Sequence, residues 1–263
     1  MNTIAFAFMC TALAGLSTGI GSTIALFAKR TNTKFLSVSL GFSAGVMIYV
    51  SMIEIFVKAR ELLSALYGAQ GGLGITVVGF FGGMLFIGLI DRLIPSEYNP
   101  HEPGKNDIAP DCQAKLMRTG VFMALAIALH NFPEGLATFI AALQTPHIAL
   151  PVVIAIALHN IPEGIAVSVP IYYATGSRRR AFLCSFASGL AEPLGAIVGY
   201  LILMPFLNDT IYGILFSGVA GIMVFISFDE LLPSAREYGE HHLSIYGLIA
   251  GMAIMAISLI LFA

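Results

Sequence analysis

The stretch AIALHNFPEGLA at residues 126–137 returns almost unchanged as AIALHNIPEGIA at residues 155–166. The two copies agree at ten of twelve positions and are offset by 29 residues, which is close to the length of one membrane crossing. Because consecutive crossings run in opposite directions, the two copies are expected to be antiparallel. Many transporters use such an inverted pair to build a binding site near the middle of the bilayer.

The composition is that of a membrane protein. Hydrophobic residues make up 57% of the chain, charged residues only 11%, and the mean hydropathy is +0.88. The apolar runs are continuous and about 20 residues long, as membrane helices require, and do not alternate like the strands of a membrane barrel. We therefore predict an all-α integral membrane protein with one transmembrane domain over residues 1–263. Its eight helices are expected at about 3–28, 35–57, 71–92, 119–143, 148–174, 181–205, 210–232 and 243–263, with a loop at about 93–118.

The positions of lysine and arginine predict the orientation. Eleven of these thirteen residues lie in the loops after predicted helices one, three, five and seven, and only Lys58 and Arg60 lie in the other loops. Cytoplasmic loops are enriched in such residues, so both termini are expected outside the cytoplasm and the loop at about 93–118 inside it. The basic run 178–180 is interpreted as a topology anchor, and no nucleic-acid partner is expected. The expected location is the cell membrane (plasma or inner), with several crossings of the lipid bilayer.

The repeated motif places pairs of metal-binding side chains on one helix face. Residues four apart on a helix differ by about 40° in azimuth and about 6 Å in rise. His130 therefore shares a face with Glu134, and His159 shares a face with Glu163. Both histidines fall near the middle of their predicted helices, where an ionisable side chain is a functional candidate. The asparagine that follows each histidine lies on a flank, where its amide oxygen would serve a neighbouring position.

In each copy, the proline frees a backbone carbonyl and the glycine leaves space beside the helix. Pro133 and Pro162 lack an N–H group, so each frees the carbonyl oxygen four residues earlier. A freed carbonyl at membrane depth is tolerated only where it is buried in protein or lines a wet cavity. Gly135 and Gly164 leave room for a bend or for the close approach of another helix.

A third carboxylate stands in the sixth predicted helix, where Glu192 precedes Pro193. Three glutamates beside two neutral histidines in a low dielectric cannot all stay ionised without a cation, because like charges repel strongly there. Protons or metal ions must therefore fill the site, and two divalent ions would carry +4 against −3. The nitrogen and oxygen ligands suit zinc, iron(II), manganese or cobalt, and the imidazoles argue against magnesium and calcium.

At these residues the sequence resembles the ZIP (Zrt/Irt-like) family of metal transporters. The resemblance rests on the doubled HN-PEG motif, on AEPLG at residues 191–195, on DELLP at residues 229–233 and on the eight-helix layout. The length and the histidine in both copies point to the bacterial ZupT-type branch. The resemblance implies uptake of zinc, and also of iron(II), manganese, cobalt or cadmium, into the cytoplasm through a binuclear site, with the metal as cargo and no prosthetic group. It also implies a homodimer whose transport helices move against a scaffold.

The resemblance further implies two sets of ligands. One metal position would be held by His130, Glu134, His159 and Glu163, and the other by Asn131, Glu134, Asn160, Glu163 and Glu192.

Other polar residues are weaker candidates for the metal pathway. They are Met47, Ser51 and Glu54 on the second predicted helix and Asp229 and Glu230 on the seventh. A place in the core remains an alternative for Met47, and an ion pair with Lys58 remains one for Glu54. The loop at about 93–118 is expected to be a solvated connector. His241 and His242 form either a weak metal site or a solvated turn.

Two other classes of function remain open. The same residues would form a proton relay in a cation channel. An intramembrane metallohydrolase would need an open coordination position and a separate acid or base, and the sequence contains no HExxH motif. It also contains no GxxxxGK[ST] nucleotide-binding motif, so transport is expected to run without ATP. We therefore expect a transporter and not an enzyme.

Overall fold

A computed structural model describes residues 3–27, 33–93, 112–144, 149–203, 206, 208–237 and 241–262. Ordered structure in these ranges is helical. The helices are α1 (Thr3–Leu26), α2 (Thr33–Val50), α3 (Phe56–Leu93), α4 (Cys112–Gln144), α5 (Ala149–Thr175), α6 (Arg178–Gly189), α7 (Ala191–Val198), α8 (Asp209–Ile226), α9 (Leu232–Glu237) and α10 (His241–Phe262). Short π-helical turns extend α2, α7 and α8 at Ser51–Ile55, Gly199–Leu203 and Ser227–Leu231.

Several helices are long and apolar enough to cross a membrane. Within the described residues, five stretches meet this description by length and composition: Thr3–Thr23, Ser37–Arg92, Arg178–Ile202, Asp209–Arg236 and His242–Leu261. The second stretch spans 56 residues, far more than the roughly 20 that one crossing needs. In addition, α4 has 33 residues and α5 has 27. The protein is therefore a membrane protein, and the regular structure of its described residues is helical throughout.

The connection between the second and third predicted helices differs from the expected loop. The structure continues the helix through residues 58–67 and turns sharply at Gly68, which has φ 76° and ψ 166°. The segment at 58–67 carries three charged residues, Lys58, Arg60 and Glu61, but no proline or glycine, so nothing in it stops a helix. A positive φ is strained for any residue with a side chain, which explains glycine at the turn.

The sixth predicted helix is broken where its proline requires a break. The structure ends α6 at Gly189 and begins α7 at Ala191, with Leu190 at φ −67° and ψ −12° between them. Pro193 has no N–H to donate to the carbonyl of Gly189, so the helical ladder is interrupted there. The break at Leu190 lies two residues before Glu192 and so places this carboxylate in the first turn of α7.

The helices pack as two groups. The first group consists of α1, α4, α5, α6 and α7, and the second group consists of α2, α3, α8, α9 and α10. The two groups meet mainly where α2 and α10 pack on α5 and where α8 packs on α4.

Close backbone approaches occur inside each group. A Cβ on Gly21 would collide with the carbonyl of Ile161, and one on Gly45 would collide with the carbonyl of Leu248. Among the described glycines, none has a neighbour from the other group this close. Glycine thus fixes helix spacing within each group, whereas larger apolar side chains from both groups form one shared core cluster.

Candidate metal site

Helices α4 and α5 carry the two motif copies side by side in the first group. His130, Asn131, Asn160 and Glu163 are fully buried, and Glu134 is 9% exposed. Charged side chains are rarely buried this completely unless they are paired or bind an ion. The burial therefore marks these residues as a candidate ion-binding site.

His130 links the two glutamates of the motifs. Its Nε2 atom lies 3.4 Å from Oε2 of Glu134, one helical turn along α4, and 3.2 Å from Oε1 of Glu163 on α5. The first distance follows from the four-residue spacing in the sequence. The second depends on how the two helices pack, and it brings one histidine and two carboxylates together.

The side-chain amide of Asn131 lies against Glu163, the α5 glutamate that His130 contacts. In one orientation of its amide, Nδ2 donates to the carbonyl of Ser188 at 3.4 Å. In the exchanged orientation, the nitrogen donates to Oε2 of Glu163 at 3.1 Å and to the carbonyl of Ile127 at 3.2 Å. The amide therefore reaches either the α6 backbone or the carboxylate, and it can turn its oxygen toward a cation.

Asn160 joins the third carboxylate to the motif. Its Nδ2 atom donates to Oε1 of Glu192 and, at 3.0 Å, to the carbonyl of Ala14 on α1. Within the described part of the chain, Oδ1 of Asn160 and Oε2 of Glu192 accept no hydrogen bond. Glu192 is fully buried and lies within range of electrostatic repulsion from Glu134 and Glu163. The site thus retains buried oxygen lone pairs that a cation would satisfy.

The motif glycines set the distances between the helices that carry these ligands. A Cβ on Gly135 would collide with the backbone carbonyl of Glu192, and one on Gly195 would collide with that of Phe132. A Cβ on Gly164 would collide with the carbonyl of Thr18. Of the two roles that the sequence leaves open for Gly135 and Gly164, a bend or a close helix approach, the structure shows the close approach, of α4 to α7 and of α5 to α1.

The helix segments around the site contain no lysine or arginine that could compensate the charge of the glutamates. Neither residue type occurs at 3–26, 119–144, 149–175 or 181–203, the ranges that surround the site. Three buried carboxylates without a nearby basic residue are strongly unfavourable in a low dielectric. The donor set of imidazole, carboxylate and amide oxygen suits Zn²⁺ and similar divalent ions.

Some expected residues are not described in full. His159 lies within α5, but its side chain lies outside the described residues. The same holds for the side chain of His241 at the start of α10 and for residues 94–111 of the expected loop. The described part shows that α4 already begins at Cys112, inside that loop, and that the ring of His242 stacks on Tyr246 at 6.3 Å between centroids.

The candidates on the second predicted helix have structural contacts. Met47 is fully buried in the apolar core, and the hydroxyl of Ser51 donates to the Met47 carbonyl at 2.6 Å. Glu54 forms an ion pair with Lys58 at 2.7 Å. These contacts support packing for Met47 and Ser51 and a surface ion pair for Glu54.

A second acidic cluster lies at the ends of α3 and α8. Carboxylate oxygens of Asp91, Asp229 and Glu230 lie within 4.8 Å of one another, with Glu230 buried and the other two partly exposed. The sequence pattern singles out Asp229 and Glu230 but not Asp91. The only sequence signal for Asp91 is its place beside Arg92 at the end of an apolar run.

Comparison with known proteins gives a consistent result. The family model described as ZIP Zinc transporter matches residues 94–259. Three proteins named zinc transporter ZupT are similar over nearly their full lengths. That of Streptococcus mutans is 65% identical over 256 residues, covering 97% of each chain, and that of Oceanobacillus iheyensis is 62% identical over 268, covering both chains fully. That of Clostridium perfringens is 60% identical over 281 aligned positions, covering 100% of this chain and 98% of the other.

Proposed function

Because this chain belongs to the ZIP zinc transporter family, we propose that it takes up divalent metal ions through the site on α4, α5 and α7. It is a multi-pass cell-membrane transporter and not an enzyme. Zn²⁺ is the main proposed cargo, and Fe²⁺, Mn²⁺, Co²⁺ and Cd²⁺ are further candidates. The observation that carries the proposal is the cluster of three buried glutamates with His130 and two asparagines, on helix segments (119–144, 149–175 and 181–203) that hold no lysine or arginine.

Two adjacent metal positions account for the arrangement of donors. One would use His130, Glu134, His159 and Glu163, and the other Asn131, Glu134, Asn160, Glu163 and Glu192. The contact of His130 with both Glu134 and Glu163 supports the first position. The hydrogen bond between Asn160 and Glu192, and their unpaired oxygens, support the second. Two divalent ions would outweigh the three negative charges.

We propose eight crossings, one for each apolar run, with both termini outside the cytoplasm as the distribution of basic residues indicates. In this topology the acidic cluster of Asp91, Asp229 and Glu230 faces the cytoplasm. Its carboxylates are hard ligands that would receive ions leaving the midplane site, so an exit role for Asp229 and Glu230 extends to Asp91.

Movement of one group of helices against the other would expose the site to each side in turn. All six fully described ligands lie in the first group, whose helices are held together by glycine contacts. The second group would then serve as the scaffold, and a homodimer would anchor it in the membrane. Mass measurement of the protein in lipid nanodiscs tests for the dimer.

An inside-negative membrane potential favours inward movement of a divalent ion. Each divalent ion carries two charges, so an inside-negative potential of about 100 mV contributes about 4.6 kcal/mol to inward movement. We propose downhill uptake in this potential without a second substrate, and the pH step in the assay below tests for co-moving protons.

The test is metal uptake by purified protein in liposomes. Zn²⁺ should accumulate without ATP, and Glu134→Ala or Glu163→Ala should abolish accumulation, because each removes a carboxylate shared by both metal positions. Glu61→Ala is the matched control, since this carboxylate is exposed on α3. Proton flux without metal flux would favour a channel, and turnover of a lipid or peptide would favour a hydrolase; either result contradicts the proposal. Competition among Zn²⁺, Fe²⁺, Mn²⁺, Co²⁺ and Cd²⁺, with and without a pH step, ranks the metals and tests for proton coupling.

A further inference from the structure

A hydrogen bond crosses the boundary between the two helix groups beside the metal site. The hydroxyl of Ser43 on α2 donates to the backbone carbonyl of Pro162 on α5 at 2.7 Å. Ser43 is fully buried, and Pro162 directly precedes Glu163. The bond therefore joins the second group to the backbone that positions a shared ligand.

Four other buried serines donate their hydroxyl hydrogen bonds within a single helix or within a single helix group. The hydroxyls of Ser51 and Ser227 each donate to the carbonyl four residues earlier in the same helix, which is the usual pattern for serine inside a helix. The hydroxyl of Ser37 also leaves α2, but it reaches Ala235 in α9 at 2.6 Å, within the second group. The hydroxyl of Ser185 donates to Gly164 of the motif at 3.1 Å, within the first group. Ser43 makes the same kind of bond between the groups.

The hydrogen bond can break without leaving the Ser43 hydroxyl or the Pro162 carbonyl buried and without a partner. When α2 and α5 separate, the Ser43 hydroxyl has the carbonyl of Ser39, four residues earlier, as an alternative acceptor. The Pro162 carbonyl retains its own place in the helical ladder of α5. Beside this hydrogen bond, apolar side chains of both groups form a shared core cluster, and apolar contacts are non-directional. The hydrogen bond therefore favours one position of α5 against α2 without fastening it permanently.

We propose that Ser43 is a positioning residue that holds the motif of α5 in one of its two positions and releases it once in each transport cycle. This inference rests on the proposed function, since it assumes that the groups move relative to each other during uptake. Ser43 does not bind the metal; it acts through the backbone at Pro162. Removing its hydroxyl should therefore change the rate of the cycle more than the affinity of the site.

The test is zinc uptake by Ser43→Ala in liposomes over a range of Zn²⁺ concentrations, with equilibrium Zn²⁺ binding measured on the same protein in detergent. The maximal rate should rise by about 2- to 12-fold, the range that a net hydrogen bond of about 0.5–1.5 kcal/mol gives at about 1.4 kcal/mol per tenfold. Binding affinity should stay within about twofold. Ser37→Ala and Ser185→Ala, which remove equivalent bonds within one group, should leave the maximal rate unchanged.

An unchanged or lower maximal rate in Ser43→Ala would overturn the inference, as would the same increase in either control. A loss of Zn²⁺ affinity in Ser43→Ala would instead assign the hydroxyl to the architecture of the site and also overturn it. Failure of the unaltered protein to accumulate Zn²⁺ contradicts the proposed function itself, so the two failures are distinguishable.

Discussion

Replacing Gly135 with alanine should damage both the stability of the protein and its metal site. Gly135 directly follows Glu134, and its Cα packs against the backbone of Glu192. A methyl group there collides with backbone carbonyl, carbon and Cα atoms of Glu192, none of which can rotate away as a side chain would. α4 and α7 must therefore separate, which moves two of the three site carboxylates apart.

The expected magnitude follows from two opposing effects. Overpacking a tight contact costs about 1–3 kcal/mol, whereas exchanging glycine for alanine inside a helix gains about 0.5–1 kcal/mol. Gly82 on α3 provides the control, because a Cβ there meets nothing within 4 Å. Gly82→Ala should be neutral or slightly stabilising, while Gly135→Ala should lower the apparent Tm by several degrees.

The assay pairs thermal unfolding in detergent with equilibrium Zn²⁺ binding. Displaced ligand supports typically cost about 10- to 100-fold in metal affinity, so Gly135→Ala should weaken binding by at least about tenfold. Gly195→Ala overpacks the same contact between α4 and α7 from the α7 side, where its methyl meets the backbone of Phe132. This variant should have the same effects as Gly135→Ala. If Gly135→Ala matches Gly82→Ala in both measurements, the reasoning from helix contact is refuted.

Further outcomes test other parts of the structure. Zn²⁺ at about 100 times its dissociation constant should stabilise the folded protein by about 2.7 kcal/mol, and Glu163→Ala should lose this effect; equal stabilisation of the variant would contradict the site. Asn208 caps α8 by accepting from the N–H of Ile211 at 3.0 Å, so Asn208→Ala should cost about 0.5–2 kcal/mol while the KM for Zn²⁺ uptake stays constant. Asp229→Asn combined with Glu230→Gln should slow release into the liposome and lower the maximal uptake rate, with Zn²⁺ binding at the midplane site retained; an unchanged rate would rule out the exit role.

Much of the candidate site could be predicted because its chemistry is local in sequence. His130 and Glu134 are one helical turn apart, so their contact follows from helix geometry alone. The same argument cannot supply the contact of His130 with Glu163 or of Asn160 with Glu192, because those depend on the rotation and spacing of separate helices. Asp91 escaped prediction for the same reason: its neighbours Asp229 and Glu230 are distant in sequence.

The fold shows a similar division. The apolar runs predict long helices, but the structure continues the helix through the charged segment where a loop is expected and bends it at Gly68, between two helical parts of α3. Periodicity and composition report whether a residue faces lipid or protein, and they carry little information about a single backbone dihedral angle. Only the positive φ at Gly68 shows where the chain turns.

The sequence by itself determined that this is a helical membrane protein with a doubled motif of metal ligands, because hydropathy and four-residue spacing are properties of single helices. The tertiary structure decided which ligands meet, which helices the motif glycines press together, and that Ser43 reaches the Pro162 carbonyl across the two groups. These features arise from packing between helices far apart in the chain. If one helix were rotated about its axis by one residue, about 100°, different side chains would face the neighbouring helix.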